Sequence, residues 1–163
     1  TVTTYPTVQT ATTEICAGST LTVNSTPGGG TPGYTYVWSG PSGFSASTQN
    51  VSRANATPAM SGLYSVTVTD SKGCIANSSV QATVNPNPTV QTTTTEICAG
   101  STLEVNSTPG SGTPGYTYVW SGPSGFSATT QNVSRANATP AMSGLYSVTV
   151  TDSKGCVSKN HSH

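Results

Sequence analysis

Short alternations of apolar and polar residues, broken by glycine and proline, run the length of the chain. Ser19–Asn24 puts Leu21 and Val23 on one side and Thr20, Thr22 and Asn24 on the other. That period of two is what a half-buried strand requires. Tyr34–Ser39 sets Tyr36 and Trp38 on one face, and Gln49–Arg53 turns Val51 inward and Asn50 and Ser52 outward. Leu63–Thr69 directs Tyr64, Val66 and Val68 to a core, and Cys74–Val84 ends with Val80, Ala82 and Val84 in phase. Phe44–Ser47 reads as a further short strand, and the threonine-rich stretch Thr1–Thr13 as extended chain. Pro27–Gly33, Gly40–Gly43, Asn55–Gly62 and Asp70–Gly73 supply the loops and turns. No stretch has helical periodicity. The pattern predicts an all-β fold with about seven strands in each unit.

The pattern occurs twice. Shifting the chain by 82 places Cys16 on Cys98, Trp38 on Trp120, Tyr64 on Tyr146 and Cys74 on Cys156 without a gap. Residues 6–74 and 88–156 differ only at Ala11/Thr93, Thr22/Glu104, Gly29/Ser111 and Ser47/Thr129. The expected organisation is two domains. Residues 1–85 form the first, with a strand extension at 1–5, and residues 86–163 form the second, whose final strand is incomplete. Asn85-Pro86-Asn87-Pro88 joins them, and its prolines favour an extended, stiff connection. Near-identical tandem modules serve reach or multivalency more readily than chemistry.

Trp38 on a central strand, followed by Ser61-Gly62-Leu63-Tyr64 leading into Val66, resembles the core tryptophan and tyrosine corner of immunoglobulin-like domains. Trp120 and Tyr146 repeat the pair. Trp38-Ser39-Gly40-Pro41, Gly43-Phe44, Ala56 to Asp70 and Gly73-Cys74 are similar to Ig-like/PKD-like tandem repeats of secreted Bacteroidetes cell-surface proteins and adhesins. The resemblance covers nearly all of both repeats. It implies two tandem immunoglobulin-like β-sandwiches that are secreted and non-enzymatic, and it carries over no binding residue. Val66 stands where an antibody domain has its second cysteine, so a bridge here would staple an end of the sandwich rather than its centre.

Four cysteines, two per repeat at matching places, allow three connectivities. With equivalent domains the simplest is Cys16–Cys74 and Cys98–Cys156. Each bridge would be worth on the order of 4 kcal/mol in the chain-entropy model and would imply an oxidising compartment. A zinc site lacks the spacing, so no metal or cofactor is expected.

Charged residues make up 6% of the chain and balance to zero, against about 25% in ordinary domains. No basic face invites nucleic acid, and no apolar run approaches the ~18 residues of a membrane span. A surface this poor in charge needs another source of hydration. Asn-x-Ser/Thr occurs at Asn24, Asn50, Asn55, Asn77, Asn106, Asn132, Asn137 and Asn160, eight of the ten asparagines. Covalent N-glycans at these positions would supply it.

The two ends complement each other. Repeat 2 stops at Val157 to His163 without the Val-x-Ala-x-Val stretch of Val80–Val84, while Thr1-Val2 aligns with Thr83-Val84. Thr1, Val2, Val157 and His163 are therefore the expected subunit joint, at which one copy's first strand completes the next copy's second domain. A continuous array, with this chain as one window of it, would give the same join. Absence of an initiator Met agrees with a mature product or such a window.

Enzymatic readings find little support. The only histidines, His161 and His163, lie beyond the last cysteine, and Glu14, Asp70 and Glu104 are scattered. The expected function is an extracellular or cell-surface structural protein, a subunit of a glycosylated head-to-tail filament whose partners are copies of itself. The alternative is a stalk or binding module of a large cell-surface adhesin that recognises carbohydrate.

Overall fold

The computed structural model describes the whole chain, Thr1–His163. It divides into two compact units, Thr1–Asn85 and Pro86–His163.

Repeat 1 has nine strands: β1 (Pro6–Thr12), β2 (Ile15–Cys16), β3 (Leu21–Gly29), β4 (Thr35–Gly40), β5 (Phe44–Ala46), β6 (Val51–Arg53), β7 (Gly62–Thr69), β8 (Ile75–Ala82) and β9 (Val84–Asn85). One sheet has the order β1-β3-β6 and the other β5-β4-β7-β8. The two short strands β2 and β9 form a separate parallel pair. Alternation along each strand sends one side chain in two to the space between the sheets. Leu21, Val23 and Val51 from the first sheet thus share a core with Trp38, Tyr64, Val66 and Val68 from the second. Ala82 and Val84 complete that core at 0% and 3% exposure.

The stretch 27–33 is not all loop. Strand β3 continues through Pro27 to Gly29, with Pro6 opposite Gly29 and Val8 opposite Pro27. On its other edge β6 covers only Leu21–Val23, so a residue without an N–H is tolerated at Pro27.

Three polar fixtures hold the sandwich in register. Trp38 Nε1 donates to the Thr48 carbonyl at 2.9 Å. The Tyr64 hydroxyl donates to the Met60 carbonyl at 2.9 Å and accepts from Arg53 Nη1 at 2.8 Å. Arg53 also donates to the Pro41 carbonyl, and its guanidinium sits 4.9 Å from the centre of the Phe44 ring. That is cation–π stacking. Gly40 packs flat on Tyr64, where a Cβ would meet the ring at 2.7 Å.

The third fixture is Asp70. The sequence reads Asp70–Gly73 as a simple hairpin turn, but the carboxylate is buried. Its Oδ1 accepts from the N–H groups of Lys72 and Cys74, and its Oδ2 from Thr31, each at 2.9 Å. It ties the β7–β8 hairpin to the loop after β3. The Thr31 N–H does most to hold the Asp70 carboxyl below its ordinary 3.8, against the desolvation that raises it. In repeat 2 burial pushes Asp152 up, but the N–H groups of Thr113, Cys156, Lys154 and Gly155 together bring it below its ordinary value. A folded-state pKa below the unfolded one gives stability that is present above the unfolded value and is lost as pH falls through the folded one. The melting temperature should therefore hold from neutrality to about pH 4 and fall below it. Thermal scans of an Asp70→Asn/Asp152→Asn variant should start from a lower value and lose less of it on acidification.

Repeat 2 has β10 (Thr89–Thr94), β11 (Leu103–Gly110), β12 (Thr117–Gly122), β13 (Phe126–Ala128), β14 (Val133–Arg135), β15 (Tyr146–Thr151) and β16 (Val157–Ser162). Its sheets run β10-β11-β14 and β13-β12-β15-β16. Its core holds Val90, Val105, Trp120, Val133, Tyr146, Val148 and Val150. It has no counterpart of β2 or β9.

Candidate functional site

That missing pair defines the site. In repeat 1, Ile15 lies opposite Val84 and Cys16 opposite Asn85. Ile15 donates to the Thr83 carbonyl at 3.1 Å and Ala17 to the Asn85 carbonyl at 2.8 Å. Ser61 Oγ serves both sides of Val84, accepting from its N–H at 2.8 Å and donating to its carbonyl at 3.3 Å. Two residues of strand thus seal one end of the core with their backbone groups paired.

In repeat 2 the segment Thr95–Cys98 has no strand partner. The bonds made by Ile15 and Ala17 have no equivalents at Ile97 and Ala99. A groove of about 470 Å³ opens there, lined among others by Ile97, Cys98, Leu103, Ala138, Met142, Ser143, Tyr146 and His163. These include the counterparts of the residues around Val84. Leu103 is only half-buried where Leu21 is 1% exposed. At the start of the chain Val2 is 99% exposed and Tyr5 76%.

The predicted joint residues fall in different places. His163 lines the groove, and Thr1 and Val2 are exposed before β1. Val157 does not belong with them. It opens β16, opposite Thr151, at the far end of that strand from His163.

The expected cysteine pairing is corrected. Cys16 and Cys156 are disulfide-bonded, whereas Cys74 and Cys98 are free thiols. Cys16 sits beside Asn85, at the end of repeat 1 where Ser61 meets Val84. Cys74 follows the Asp70 turn at the other end of β7. The eight residues of β7 span roughly 25 Å at strand rise, and a disulfide needs Cα atoms within about 7 Å. The pair Cys16–Cys74 is therefore excluded by strand length. Cys98 and Cys156 are separated in the same way, Cys98 in the groove and Cys156 bonded to the Asp152 carboxylate through its N–H.

The sequon asparagines are dispersed. Asn24, Asn50, Asn55, Asn77, Asn132 and Asn137 are exposed, and Asn106 and Asn160 half-buried. Several have structural work of their own. Asn50 and Asn132 accept the N–H of Ser25 and Ser107. Asn55 and Asn137 adopt φ of 50° and 52°, a left-handed conformation that asparagine tolerates better than most residues. Asn160 donates its Nδ2, the atom a glycan would need, to the Val90 carbonyl at 2.7 Å. The core aromatics Trp38, Tyr64, Trp120 and Tyr146 are all at most 3% exposed. No helix is long and apolar enough to cross a membrane.

Sequence reasoning missed Asp70 and Asp152 as buried anchors and the parallel β2–β9 pair. The first had a visible signal, an acid three residues before a turn glycine. The second had none, because two residues carry no periodicity.

No protein-family model matches the chain, and no curated protein matches it. Solved structures do. The N-terminal eight Ig domains of Down syndrome cell adhesion molecule isoform 1.30.30 align with TM-score 0.73 at 13% identity, over 97% of this chain and 27% of that one. The insect immune protein hemolin aligns with TM-score 0.52 at 16% identity, over 91% of this chain and 43% of that one. The chain thus spans less than half of either. These likenesses, together with the sheet topology of each repeat, make the protein a tandem of two immunoglobulin-like β-sandwiches.

Proposed function

We propose that the protein is an extracellular structural subunit that polymerises head to tail, with Thr1–Thr3 of one copy entering the groove of repeat 2 in another. The groove carries this reading. It has the position of the Ala82–Asn85 segment in repeat 1, and at the repeat offset Val2 stands for Val84. An unpaired strand edge beside an apolar slot is a template for strand addition. A contact between two different faces that does not close on itself propagates into a filament. The oxidised Cys16 and Cys156 agree with an extracellular setting. A surface role in adhesion would agree with the cell adhesion molecule among the solved neighbours.

The test is electron microscopy of purified protein. Wild type is expected to form filaments. Deletion of Thr1–Thr3, or Val2→Asp, is expected to leave single particles, because a carboxylate in the Val84 position would be buried without a partner. Filaments of undiminished length from either variant would reject strand addition. Intact mass before and after deglycosylation completes the test. Sugar is expected on exposed asparagines and not on Asn160, whose amide nitrogen is engaged. An unaltered mass would remove glycans from the reading, and a native chain longer than 163 residues would make the joint an internal one.

A further inference from the structure

We propose that Cys98 of one copy and Cys74 of the next form a disulfide across the head-to-tail joint. This rests on the strand-addition reading above and adds a covalent lock to it. Three observations within the repeats converge on it. The register of repeat 1 places Cys16 opposite Asn85. At the repeat offset Cys98 takes the place of Cys16, and Thr3 of the incoming chain takes the place of Asn85. Docking in that register therefore lays Thr3 of the second copy directly beside Cys98, at the ~4.8 Å spacing of neighbouring strands. Thr3, in turn, already touches its own Cys74: its Oγ1 lies 3.2 Å from Cys74 Sγ. Thr3 is the common neighbour that brings the two thiols to the same place, where a disulfide needs their Cα atoms within about 7 Å.

The state of the four cysteines fits the same scheme. Cys98 and Cys74, both free, are the repeat counterparts of Cys16 and Cys156, both disulfide-bonded. Cys98 is exposed and Cys74 half-buried, so both are within reach of thiol exchange. Neither free thiol can pair within its own repeat, for the strand-length reason given above.

The oxidant is a small-molecule or enzyme-borne disulfide, RSSR. The Cys98 thiolate attacks one sulfur of RSSR, forming a mixed disulfide and releasing RS⁻. The Cys74 thiolate of the docked copy attacks Cys98 Sγ, forming the Sγ–Sγ bond and releasing the second RS⁻. Two protein thiols are oxidised, one RSSR is reduced, and the two thiol protons pass to the released RS⁻ groups.

The experiment treats full-length protein, purified without reductant, with oxidised glutathione. It reads non-reducing gels alongside electron micrographs. Wild type should give a ladder with steps of one chain, 16.4 kDa, that collapses on reduction. Cys74→Ser alone and Cys98→Ser alone should each stay monomeric on the gel. Mixed together they should stop at a dimer, and peptide mapping should find Cys98 joined to Cys74. A ladder that survives deletion of Thr1–Thr3, or Cys74–Cys74 and Cys98–Cys98 links in place of the mixed one, would overturn the proposal. Filaments with no ladder would overturn the lock and leave strand addition standing. Neither filaments nor ladder would overturn both.

Discussion

Extending the chain beyond His163 by Ala-Thr-Val-Asn, the residues of positions 82–85, will stabilise repeat 2 and, on the head-to-tail reading, stop assembly. The added residues meet the groove lined by Ile97, Leu103, Ser143 and Tyr146. In repeat 1 the same four residues bury Ala82 and Val84 almost completely and pair with Ile15 and Cys16. Burying one valine is worth about 2 kcal/mol, and the strand pairing adds to it. In a domain of this size each kcal/mol moves the melting temperature by about 4–8 °C, so a rise on the order of 10 °C is expected for repeat 2. An intramolecular strand is always present at high effective concentration and displaces one that must arrive from another molecule. Calorimetry reads the first effect and electron microscopy the second. Stabilisation without loss of filaments would mean that the groove is not the joint. No change in either would mean that the groove does not take a strand.

Trp38→Ala will have the largest effect of any single substitution in repeat 1. The ring is 1% exposed between the two sheets, and its indole N–H holds the Thr48 carbonyl. Truncating a buried tryptophan costs about 3–5 kcal/mol. A domain of this size holds only roughly 4–12 kcal/mol in total. The second repeat gives an internal comparison, because Trp120 makes the same bond to Thr130 at 2.9 Å. Without the Ala82 and Val84 equivalents, repeat 2 starts from a smaller core, so Trp120→Ala should unfold its domain at lower denaturant than Trp38→Ala unfolds repeat 1. Urea titrations of the two variants check both statements. Equal midpoints would mean that the open groove does not weaken repeat 2.

On the head-to-tail reading, assembly would depend on two different conditions. Strand docking would depend on burial of Val2, which carries no thiol. The proposed Cys98–Cys74 bond would form only after docking and only where an oxidant is present. Glutamate at 104, in place of Thr22, stays on the exposed face of β11 and disturbs neither. The structure offers no reason for that difference between the repeats.

The sequence by itself determined the strands and their inward faces. Leu21, Val23, Val51, Tyr64, Val66 and Val68 alternate with polar neighbours, and a period of two leaves a strand only one way to face a core. Duplication made the difference between Ile75–Val84 and Val157–His163 visible by alignment. Only the tertiary structure decided the cysteines. Spacing along the chain says nothing about which end of a strand a residue reaches, and eight residues of β7 place Cys16 and Cys74 at opposite ends of one sandwich. The Asp70 anchor and the Thr3–Cys74 contact were hidden for the same reason. Each joins segments far apart in sequence whose meeting depends on how the two sheets fold over one another, and no local pattern encodes that.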